Sequence, residues 1–119
     1  IHDDIKSALQ KLLPTINESC CFWLDAHAGA SKYARGEEDC PLLKELDIIS
    51  KHKIKNHIIS IDDSHLLGKI QKDTRGNIIC DYSKITLDIV KEKILKINPN
   101  YDIGIYAPYD MEMLIAIVK

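Results

Sequence analysis

Apolar positions along the chain follow two periods. In DDIKSALQKLL, Ile5, Leu9, Leu12 and Leu13 share one helical face, and Pro14 ends that helix near Leu13. PLLKELDIISKH sets Leu42, Leu43, Leu46 and Ile49 on one stripe, with Pro41 in the first turn and Asp39 before it as a cap. ITLDIVKEKILKI aligns Leu87, Val90, Ile94 and Ile97, and NPN stops it. Between these helices lie short apolar runs. SCCFWLDA reads as a buried strand, with Trp23 in the core. HIISIDD is too β-branched and too short for a helix. YDIGIY and MEMLIAIVK flank APYD and read as an antiparallel hairpin. From Ser64 to Ser83 there is no clean period, only turn chemistry at Gly76-Asn77.

Strands alternating with helices predict an α/β domain. The expected sheet has four strands, mostly parallel, with a terminal antiparallel hairpin and helices on both faces. In such a sheet a ligand lies beyond the carboxyl ends of the strands. The first run ends on Asp25 and His27, the second on Asp62, Asp63 and His65. If the two strands are parallel neighbours, these side chains crowd one edge, with the strands ~4.8 Å apart.

Composition narrows the function. The chain has 119 residues, one domain's worth, and a formal charge of −2, so no basic surface points to nucleic acid. A single Trp and a single Phe also argue against base stacking. No run approaches the ~18 apolar residues of a membrane span. Four cysteines without a CxxC pair read as reduced and mostly buried, which fits the cytoplasm. The Gly29–Gly36 segment matches neither phosphate-loop pattern.

Three carboxylates at one sheet edge repel one another and call for a cation or a proton. Their oxygens suit Mg²⁺, Ca²⁺ or Mn²⁺ better than zinc. An ion held by Asp25, Asp62 and Asp63 could bind substrate oxygens and acidify a hydroxyl. His27 is then the candidate general base. The plainer alternative is that each aspartate caps its own turn. His2, His52 and His57 have no partner suggested by pattern.

FWLDAHAGASKYARGEEDCPLLKEL, HIISIDDSH, DYSKITLDIVKEKI and PNYDIGIY together resemble the C-terminal half of a class I S-adenosylmethionine-dependent methyltransferase, most similar to the macrocin O-methyltransferase-like group. The resemblance runs from Cys20 onward. It implies Mg²⁺ ligation by Asp25, Asp62 and Asp63 and a catalytic role for His27. The strands here would be the fourth to seventh of the family's sheet, in the spatial order 19–25, 57–62, 112–118, 101–106. The loop AHAGAS departs from the family's usual Gly, Tyr and Ser, and the glycine-rich turn that holds S-adenosylmethionine has no counterpart in the sequence.

The chain, which begins at Ile1, is therefore expected to be one domain, 1–119, forming half of a longer methyltransferase domain. The parent would methylate a hydroxyl of a sugar or small metabolite. Without the missing half, the apolar strand at 19–25 would lie at an open edge and promote self-association. A non-catalytic, truncated Rossmann-like interaction module is the alternative. A metal hydrolase, suggested by DAH alone, needs a longer chain and further ligands.

Overall fold

The computed structural model describes residues 5–25, 42–109 and 111–119, with the backbone alone described at a few of them, Asp25 included. Among the described residues there are three α-helices, α1 (Ile5–Leu12), α2 (Leu42–Ser50) and α3 (Leu87–Ile97). There are six strands: β1 (Cys21–Asp25), β2 (Ile58–Asp62), β3 (Ile70–Lys72), β4 (Ile78–Asp81), β5 (Tyr101–Tyr106) and β6 (Met113–Val118). Pro14 sits in a 3₁₀ turn, Leu13–Thr15, that ends the first helix as expected. Thr86 starts α3: its hydroxyl accepts the Ile89 N–H at 3.2 Å, satisfying an amide that the first helical turn leaves open. Asp39 and Pro41, the expected start of α2, lie outside the described residues.

The main sheet runs β1-β2-β6-β5, the neighbour order the resemblance implies. Its pairing differs from expectation. Only β1–β2 is parallel, whereas β2–β6 and β5–β6 are antiparallel, so the sheet is mixed rather than mostly parallel. The cause is the hairpin. Its second strand, β6, lies between β2 and β5 and takes both remaining pairings, each against its own direction.

The expected cover on both faces is also corrected. Leu9, Leu13, Leu42, Leu46, Ile49, Val90, Ile94 and Ile97 join Phe22, Leu24, Ile59, Ile61, Leu114 and Ala116 in one core. The described helices therefore form one layer on one face. The opposite face shows Trp23 at 62% exposure, Ile58 at 37% and Ile117 at 48%. Trp23 is thus not a core residue. Successive strand side chains alternate in direction, and Phe22 and Leu24 take the covered side. Leu12 likewise points outward from α1, and Cys21 is exposed rather than buried.

The stretch without a period is a small antiparallel hairpin, β3–β4. Its turn is built on Asp73, whose carboxylate accepts the N–H groups of Arg75 and Asn77, both at 2.9 Å. Gly76 supplies a φ of +85° there, a conformation that costs glycine little. Fully buried Tyr82 anchors the hairpin's return to the core. Among the described residues no helix is long and apolar enough to cross a membrane.

Candidate functional site

β1 and β2 end level. Their parallel register pairs Cys21 with Ile58 and ends by pairing Asp25 with Asp62. The next strand continues the same row, since Asp62 pairs with Met113. The expected convergence of Asp25 and Asp62 at one sheet edge is therefore present in the backbone.

Beyond β2 the chain turns sharply. Asp63 has φ 54° and ψ 38° and starts a one-turn 3₁₀ helix, Ser64–Leu66. This left-handed conformation is uncommon outside glycine, and aspartate is among the residues that tolerate it. The Asp62 carboxylate accepts the Asp63 N–H at 2.9 Å. One oxygen of Asp62 thus performs the turn-capping role that is the plainer alternative, and a carboxylate has capacity for further contacts. Asp62 and Asp63 are both half-buried.

The turn is tied to β6 through Glu112. The Ser64 hydroxyl donates to Glu112 Oε2 at 3.2 Å, and the Ser64 N–H donates to the Glu112 carbonyl at 3.3 Å. Glu112 brings a further carboxylate to the edge. Its signal was present in MEMLIAIVK, as an acid just before a strand, but only the sheet order brings it beside β2.

The donor chemistry here is carboxylate oxygen, which fits a hard divalent cation. Among the described residues, no group of three histidine, cysteine or acidic side chains is arranged to hold a metal ion. The Asp25 carboxylate and the whole of His27 lie outside the described residues, as does the loop from Ala26 to Pro41. His65 is exposed on the 3₁₀ turn. His52 and His57, without partners in the sequence pattern, are hydrogen-bonded to each other at the other end of the strands. No family model, curated protein or solved structure matches this chain.

Proposed function

We propose that this chain is the metal-binding half of an S-adenosylmethionine-dependent O-methyltransferase acting on a hydroxyl of a sugar or small metabolite. The observation that carries the reading is the level ending of β1 and β2, with Asp25 opposite Asp62 and Asp63 following at once. The strand order β1-β2-β6-β5 supports it as well.

In this reading Asp25, Asp62 and Asp63 hold Mg²⁺. When bound, the ion supplies positive charge that favours ionisation of a coordinated hydroxyl. His27 accepts the hydroxyl proton at a ring nitrogen, and the substrate oxygen is left as the nucleophile. The methyl donor needs backbone amides from a glycine-rich turn, which the sequence lacks. No step is therefore assigned to residues of this chain for holding it. The free thiols Cys20 and Cys21 are compatible with a reducing compartment, the cytoplasm.

The test is methyl transfer by the longer protein that this reading implies, assayed on sugar and other small-metabolite hydroxyls with Mg²⁺ and after chelation. Transfer that needs the ion and falls in Asp62→Asn supports the reading. Full activity in both conditions rejects it.

A non-catalytic interaction module is the second reading. Its support is the apolar face with Trp23, Ile58 and Ile117 exposed and β1 at the sheet edge. Concentration-dependent association of a chain that gives no response to Mg²⁺ favours it.

A further inference from the structure

At the amino ends of the same strands, ~17 Å from the aspartates at ~3.3 Å per residue, a buried chain of hydrogen bonds joins two backbone groups through two histidines. His57 is fully buried and His52 is 7% exposed. The Cys20 N–H donates to His57 Nδ1 at 3.0 Å. His57 Nε2 lies 2.9 Å from His52 Nδ1, and His52 Nε2 lies 3.1 Å from the Ile16 carbonyl.

The two ends set the direction. A backbone amide only donates, so His57 Nδ1 carries no proton and its Nε2 must carry one. A carbonyl only accepts, so His52 donates from Nε2 and accepts at Nδ1. Both rings are thereby neutral and both are Nε2–H tautomers. A further proton has no acceptor. On His57 Nδ1 it would face the Cys20 N–H, and on His52 Nδ1 it would face the proton of His57.

The surroundings oppose that extra charge. Phe22 meets the His57 ring edge-on at 5.0 Å, and the two imidazoles stack at 5.0 Å. The Tyr101 hydroxyl donates to the His57 carbonyl at 2.5 Å, and Cys20 Sγ lies 3.5 Å from His57 Nδ1. Lys51 and Lys53 line, with His52, Gln10, Leu13 and Pro14, a cavity of about 330 Å³. These neighbours are neutral or cationic at neutral pH. Burial, and then the adjacent His52, hold the His57 pKa below its usual value, while burial raises the Cys20 thiol and the Tyr101 hydroxyl.

We propose that the His57–His52 pair is an acid-sensitive latch: protonating His57 releases segment 16–20, and α1 with it, from the rest of the fold. The sign follows from linkage. A histidine whose folded pKa is lowered binds fewer protons than in the unfolded chain. Its stabilisation is full above the unfolded value of about 6.5 and is lost as pH falls below it. The remaining ties of the segment include the Ile58 N–H to the Cys20 carbonyl at 2.9 Å, the packing of Leu13, Ile16 and Cys20 on the core, and two exposed bonds, the Ser19 hydroxyl to the Asn56 carbonyl and Lys53 to Asn17. The latch stands apart from the methyltransferase reading and survives its failure.

The test is nuclear magnetic resonance on the full chain. At pH 7.5, ring ¹⁵N shifts should report two neutral Nε2–H imidazoles. Amide protection in α1 and at Cys20 should fall on acidification to pH 5.5, approaching about tenfold per pH unit between the unfolded pKa and the lower folded one, while α3 keeps its protection. His57→Gln, which keeps an acceptor and a donor but does not titrate, should flatten that response. A charged ring or an Nδ1–H tautomer at pH 7.5 overturns the proposal. So does equal loss of protection in α1 and α3, unchanged protection at pH 5.5, or an undiminished acid response in a folded His57→Gln. If that variant does not fold, the tautomers and exchange of the unsubstituted chain decide.

Discussion

Asp25 and Asp62 are Cα partners on the last rung of the parallel β1–β2 pair. Two acidic residues so aligned, with a third following in a left-handed turn, make this sheet edge the place to test the proposed Mg²⁺ site. Asp62→Asn keeps an oxygen that can accept the Asp63 N–H. The fold should therefore stay intact while Mg²⁺ affinity drops by more than the ~10–100-fold typical of losing an outer-shell partner. A calorimetric Mg²⁺ titration checks this, and an unchanged affinity removes Asp62 from the ligand set.

Asp63 offers a separate test, because backbone and charge can be changed independently. Asp63→Asn tolerates φ 54° and should leave stability nearly unchanged while weakening Mg²⁺ binding. Asp63→Val places a β-branched residue in the left-handed region and should cost about 1–2 kcal/mol in urea denaturation. Equal stability of the two variants would mean that the turn relaxes.

S-Adenosylmethionine should bind this chain weakly or not at all, since no glycine-rich turn is available to meet its carboxylate and adenosine ends. Calorimetry is again the measurement, and a dissociation constant in the low micromolar range would contradict it.

Because the described helices cover one face of the sheet, penalties should be unequal between neighbouring rows of β1 and β2. Ile61 is fully buried, so Ile61→Ala should cost ~2–5 kcal/mol. Trp23 is largely exposed, and Trp23→Ala should change stability by about 0.5 kcal/mol or less. Trp23→Lys should also reduce self-association in sedimentation, because a charge on an edge strand opposes pairing. A large penalty at Trp23 would show that this face is covered in solution.

Acid should loosen the β3–β4 hairpin through Asp73. The Asn77 N–H, most strongly, and the amides of Arg75 and Gly76 hold its carboxyl below the usual value. A depressed folded pKa means that this contribution is present above about 3.8 and lost as pH falls through the lower folded value. Amide exchange at Arg75 and Asn77 should quicken in that range, and Asp73→Asn should show the quickening already at neutral pH.

Helix positions and the four main strands were legible because periodicity governs them, whereas the meeting of the Asp25 and Asp62 backbones followed only if β1 and β2 are neighbours, an order that rested on the resemblance and not on periodicity. Trp23 was misread because an apolar run such as CFWL tells which residues alternate but not which side will be covered. The count of parallel pairs escaped because it depends on where β6 inserts, not on its sequence. β3 and β4 are short, and Ile70 and Ile78 are about half exposed, so no burial pattern marks them. The histidine chain is invisible to pattern because its ends, Ile16 and Cys20, lie more than thirty residues from His52 and His57.

β6 has a consequence for how the fold is reached. It bonds to β2 on one side and β5 on the other, so the gap between those two strands stays open until residues 113–118 arrive. Every earlier element can form while the sheet is still split into a β1–β2 ribbon and a lone β5. During synthesis the chain therefore passes through a stage with two unfilled edges of Ile-rich strand. Joining them is one late event, and a chain cut before Met113 should stop at that stage.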